Sequence, residues 1–249
     1  MPKLVTLALS LILSLPALAQ SEQSLHDLLS PDEVAAELGI AGSSDSQEIM
    51  DISSAGNSSK KITFDSQASV LLRHYPLIVV VNKAAKGPGA QHARIYVEGS
   101  LWATVPVSTG REQQENSTSG KKYFSATSVG WFNPTYQVEN HFSNTWQANM
   151  PWSTFFNGGI ALHAALPPYY GKLGTRASGG CVRMMPDVAE FVFKTAKGYG
   201  KGTVPAFTRY GGLQVKADGG LVMKTGSRTL IIVEDRPGLD KNSPVTGLW

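Results

Sequence analysis

The stretch that decides the fold reads His163-Ala164-Ala165, then Pro167-Pro168-Tyr169-Tyr170-Gly171, then Ser178-Gly179-Gly180-Cys181-Val182-Arg183. It carries the only cysteine of a 249-residue chain, with a histidine upstream of it. A lone thiol beside an imidazole is the minimal kit for nucleophilic acyl transfer, because the imidazole can take the thiol proton and leave a thiolate. The two glycines before Cys181 let the backbone turn tightly and bring N–H groups close to a bound carbonyl, as an oxyanion hole requires. Immediately upstream, Gly158-Gly159-Ile160-Ala161-Leu162 reads as a strand that delivers His163 at its end. Ser178 to Arg183 reads as a tight turn into a short strand. Pro186 then opens a helix with Val188, Phe191, Val192 and Thr195 on one face.

Moving outward, the texture is read as β from Phe64 on. Leu77 to Val81 is a β-branched run suited to a buried strand, and Ala93–Val97 and Leu101–Val105 form a hairpin around Glu98-Gly99-Ser100. Val107 to Gly110 is read as closing that strand, and Arg111 to Gly120 as a loop. Tyr123 to Phe156 holds ten aromatic residues, Trp131, Trp146 and Trp152 among them, in a segment broken by Pro134 and Pro151. These rings are either core under a long loop or a ligand platform or lid. Asp218-Gly219 marks a hairpin turn, and Thr229 to Val233 a final buried strand. Strands do not alternate with helices, so the body is mainly β, antiparallel or mixed, with a helix near the site.

The chain begins with Lys3, an apolar run from Leu4 to Leu15 and Ala17-Leu18-Ala19, the pattern of an export signal over 1–19 with a run too short to span a bilayer. Residues 20–60 read as a short helix starting at Ser30-Pro31-Asp32-Glu33, ended by Gly39, and an acidic Ser-rich linker. Residues 20–59 hold eight of the 19 acids and none of the 22 Lys and Arg, whereas the body from Lys60 on is net basic. A basic body suits an anionic polymer such as cell-wall material, while the lack of a Lys/Arg cluster interleaved with aromatics argues against nucleic acid. In an exported chain, an unpaired cysteine reads as a reactive thiol. The five histidines are scattered, without a second cysteine or a His-Glu-x-x-His helix, so no metal site or cofactor is expected. A Gly-x-Ser-x-Gly elbow is also missing.

His163 and Ser178-Gly179-Gly180-Cys181-Val182-Arg183 together resemble the active-site signature of the YkuD-type L,D-transpeptidase catalytic domain. Ile78 to Asn82 and Val107 to Gly110 resemble its opening strands, and the likeness covers roughly Tyr75 to Asp235. The family usually carries Ser-His where this chain has Ser178-Gly179. The resemblance implies a mixed β-sandwich or barrel-like catalytic domain over 75–235, with a C-terminal tail at 236–249. It implies Cys181 as nucleophile, His163 as proton acceptor and donor held by a backbone carbonyl, and Gly180 as an oxyanion-hole N–H. Ser178, Gly179 and Arg183 would contact substrate. The implied partners are peptidoglycan stem peptides, with another stem's amine or a wall-anchored protein as acceptor. The signal pattern, with no cysteine after it to take a lipid and no later transmembrane segment, points to the periplasm, with a secreted or wall-associated location as the alternative. Two other readings stay open: a carboxypeptidase using the same Cys–His pair, and a wall-binding module without catalysis.

Overall fold

In the computed structural model, residues 31–40, 64–117, 120–143, 148–209 and 211–239 are described. The expected export signal, most of the linker, Trp146 and the tail beyond 239 lie outside them. The chain begins with helix α1 (Pro31–Leu38) and helix α2 (Phe64–His74). Strands β1 (Leu77–Asn82), β2 (His92–Val97), β3 (Ser100–Pro106), β4 (Thr109–Gly110), β5 (Gln114–Asn116), β6 (Lys122–Phe124) and β7 (Gly130–Phe132) follow. Next come β8 (Tyr136–Ser143), β9 (Ala148–Asn157), β10 (Ile160–Ala164), a 3₁₀ turn at Pro167–Lys172, β11 (Arg176–Ser178) and β12 (Val182–Met184). Helix α3 (Pro186–Tyr199), β13 (Lys201–Pro205), β14 (Met223–Ser227) and β15 (Thr229–Glu234) complete the order.

Two sheets carry the architecture, in the orders β3-β2-β1-β15-β7 and β12-β10-β9-β8. β1 pairs parallel with β15 and β10 parallel with β12, while their other neighbours run antiparallel. The fold is therefore mixed and mainly β, in several sheets that do not close into a barrel.

Alternation along each strand sorts the side chains into layers. Leu77, Val79 and Val81 of β1, with Ile231 and Val233 of β15, face Leu162, Ala164, Val182 and Met184 of the second sheet, and α3 adds Val188, Ala189, Val192 and Ala196. Ile78, Val80, Leu230 and Ile232 point the other way, onto Phe64, Ala68, Leu71 and Leu72 of α2. The outer face of the second sheet presents Met150, Phe155, Ala161 and Cys181, which pack with Val34 and Leu38 of α1. Each large aliphatic side chain buried in these layers contributes about 1.5–3 kcal/mol.

Four sequence expectations change. Phe64 to His74 is helix rather than strand, because Phe64, Ala68, Leu71 and Leu72 repeat at helical spacing against the first sheet, and the Glu234 carboxylate caps its start by accepting from the Phe64 N–H at 2.7 Å. β3 stops at Pro106, which has no N–H to donate, and Thr109–Gly110 pairs instead with β11. The segment 111–120 is not all loop, since β5 pairs with β6. The buried stripe of α3 is Val188, Ala189, Val192, Phe193 and Ala196, while Phe191 stacks on the exposed Trp102 with ring centroids 3.9 Å apart. The aromatic segment resolves into strands: Trp131, Phe132, Phe155 and Phe156 are core, and Phe124 and Tyr136 are exposed.

Candidate active site

Strand pairing brings the expected pair together. His163 lies in register with Arg183 on the neighbouring parallel strand, and Cys181 comes two residues before Arg183. Leu162, Ala164, Val182 and Met184 all face the central core, so the alternating positions 161, 163, 181 and 183 share the opposite face. His163 is only 2% exposed, and its Nδ1 sits 2.9 Å from the Ala164 carbonyl. A carbonyl can only accept, so Nδ1 carries a proton in this contact. A backbone carbonyl thus holds the imidazole, as the resemblance implied.

Cys181 is half-buried. Its Sγ accepts from the Ala161 N–H at 3.4 Å and lies 3.6 Å from the Gly159 carbonyl, to which the S–H donates. An N–H aimed at sulfur favours negative charge there.

The turn before the cysteine is held from within. The Ser178 hydroxyl accepts from the Gly180 N–H at 3.1 Å and donates to the Cys181 carbonyl at 2.5 Å. Ser178 is fully buried, and its hydroxyl holds together the turn that carries Cys181. Gly180 takes φ +142°, a value open to glycine, but its N–H is occupied by Ser178 in this state. Gly179 is buried in the same turn. Arg183 is 2% exposed, lies over the Tyr169 ring at 4.5 Å and donates to the Ala177 carbonyl at 3.3 Å. These contacts tie the 3₁₀ turn and β11 to β12.

Sequence reasoning missed a buried brace behind the turn. Thr127 Oγ1 donates to the Gly180 carbonyl at 2.7 Å and accepts from the Gly110 N–H at 2.9 Å. The Lys83 ammonium donates to Glu112 and to the Thr127 carbonyl, each at 2.8 Å. Nothing in the Ser125-Ala126-Thr127-Ser128 run announces this, because the contact spans 53 positions. Among the described residues no group of His, Cys, Asp and Glu could hold a metal ion.

A family model for the YkuD L,D-transpeptidase catalytic domain matches residues 76–231. The chain belongs to that family. Solved L,D-transpeptidases resemble it at low identity. The Mycobacterium smegmatis enzyme is 16% identical, over 64% of this chain and 59% of that one, with a TM-score of 0.41. One from Xylanimonas cellulosilytica DSM 15894 is 16% identical over 82% and 76%, TM-score 0.41. One from Stackebrandtia nassauensis is 17% identical over 86% and 93%, TM-score 0.38. The chain spans 59% of the length of the mycobacterial relative. No curated protein matches it.

Proposed function

We propose that the protein is an exported peptidoglycan L,D-transpeptidase acting in the periplasm on stem tetrapeptides. The observation that carries this reading is the placement of Cys181 directly before β12, which pairs parallel with the β10 strand that holds His163, with His163 Nδ1 at the Ala164 carbonyl. His163 Nε2 takes the thiol proton, and Cys181 Sγ attacks the carbonyl of the third stem residue. The tetrahedral oxyanion then collapses, the bond to the terminal D-alanine breaks, and His163 returns its proton to the departing amine. The enzyme is left as a thioester. An amine from a second stem, or from a wall-anchored protein, gives its proton to His163, attacks the thioester and frees the thiol.

The oxyanion donors proposed are the N–H of Cys181 and, once released from Ser178, that of Gly180. Each donor of this kind is worth about 3 kcal/mol in acyl-transfer sites. Ser178, Gly179 and Arg183 are the residues proposed to position substrate, as the resemblance implied. No helix of the described residues is long and apolar enough to cross a membrane.

The test is mass spectrometry of purified muropeptides incubated with the protein and with Cys181→Ala. A dimer lacking D-alanine, formed only by the native protein, supports transfer. Loss of D-alanine without a dimer makes it a carboxypeptidase, and no change in either sample together with a Cys181 thiol of ordinary pKa leaves a wall-binding module.

A further inference from the structure

Helix α1 lies on the catalytic cysteine. The Pro31 carbonyl oxygen stands 1.9 Å from where a Cβ on Gly159 would be, and Val34 Cβ stands 2.8 Å from the same point. Pro31 Cγ comes within 3.3 Å of the corresponding point on Gly180. Gly159 accepts the Cys181 thiol and Gly180 precedes Cys181, so the first turn of α1 presses on the two glycines that flank the sulfur. Val34, Leu38 and Ile40 join Val138, Met150, Phe155, Ala161 and Cys181 in one apolar cluster. Ser117 donates to Glu33 at 3.1 Å and fastens the helix to the β5–β6 side.

An acyl donor must bring its carbonyl to about 3–3.5 Å from the sulfur. Pro31 and Val34 fill the ground beside Gly159 and Gly180, next to the half-buried sulfur. We propose that α1 is an intramolecular plug seated in the peptide subsite of the Cys181 cleft, and that the protein acylates only with α1 displaced. The substrate named here rests on the function proposed above, but the plug itself is read at the thiol.

The helix is suited to leaving. It has eight residues, too few to persist alone in water, so its order depends on the groove. It carries Asp32, Glu33 and Glu37 with no basic residue, and so presents to a basic body the same sign of charge as a carboxylate-bearing stem peptide. Helix and substrate therefore compete for one place, and the apparent affinity for substrate falls by the fraction of molecules left open.

The experiment compares the full chain with Val34→Asp, which puts a charge in the apolar groove, and with Glu33→Ala, which removes the Ser117 contact and leaves the body untouched. Each is assayed for alkylation of Cys181 by iodoacetamide and for acylation by a stem tetrapeptide, with thermal melting as the folding control. Val34→Asp is expected to speed both by about tenfold or more, and Glu33→Ala by a smaller factor. Alkylation of folded Val34→Asp at the native rate overturns the proposal. Where Val34→Asp does not melt cooperatively, Glu33→Ala decides by the same comparison. Faster alkylation with no acylation in any form keeps the plug and overturns the transpeptidase reading instead.

Discussion

The Thr127 hydroxyl donates to the Gly180 carbonyl at 2.7 Å, joining the β6–β7 connection to the peptide unit that leads into Cys181. That carbonyl belongs to the peptide unit whose N–H is that of Cys181, so Thr127 fixes the direction in which a proposed oxyanion donor points. Thr127→Val keeps the shape and removes the hydroxyl, leaving the buried Gly110 N–H without its acceptor as well. The expected outcome is a stability loss of about 1–3 kcal/mol and a drop in kcat of about tenfold with KM little changed. Denaturant melts and steady-state kinetics check it, and kcat at the native level would contradict it.

Lys83 and Glu112 form an ion pair at 2.8 Å with both side chains largely buried. Removing one partner leaves the other charge without compensation. Lys83→Met is expected to cost about 3–5 kcal/mol, and the double variant Lys83→Met with Glu112→Gln less than the sum of the singles. A double-mutant cycle by urea unfolding measures the coupling.

Gly180→Ala forces a side chain into φ +142° and places its Cβ 3.1 Å from the Ala126 carbonyl oxygen. Backbone strain of this kind costs about 1–3 kcal/mol and would turn the Cys181 loop. Acylation should fall sharply. Gly171→Ala in the nearby 3₁₀ turn, where an added Cβ meets nothing within 4 Å, should leave both melting and acylation unchanged.

Burial lowers the His141 imidazole below its ordinary value, the Glu37 carboxylate of α1 pulling the other way. Its Nε2 is buried without a hydrogen-bond partner, so burial disfavours the charged ring. The unfolded chain takes up the proton near pH 6.5 and the folded chain only at lower pH. Stability is thus complete above 6.5 and falls as pH drops from there toward the folded value, by up to about 1.4 kcal/mol per pH unit within that window. Urea midpoints between pH 8 and 5 should fall more steeply for the native chain than for His141→Gln, which cannot titrate. Equal slopes would exclude His141 as the source.

The parts of the fold legible in the sequence were those governed by local pattern. β1 and β15 are apolar runs, the β2–β3 hairpin turns at Glu98-Gly99, and the Cys181 loop carries its own glycines. Helix α2 escaped because only four of its eleven residues are buried and its stripe makes sense only against the reverse face of the first sheet. The burial of Ser178 and both bonds of its hydroxyl follow from the turn closing on itself, which residue type alone does not announce. The Thr127 brace and the seat of α1 depend on contacts between distant segments, which no spacing in the chain encodes.

The central claim is that Cys181 becomes acylated with His163 as its base. Intact-protein mass spectrometry after mixing with a stem tetrapeptide tests it directly. The account predicts a mass gain equal to the tetrapeptide less its D-alanine, located on Cys181, lost on hydroxylamine treatment and formed about 10²–10⁴-fold more slowly in His163→Ala. An adduct that persists in Cys181→Ala, or a native thiol that stays unmodified even when Val34→Asp has opened the cleft, would contradict it.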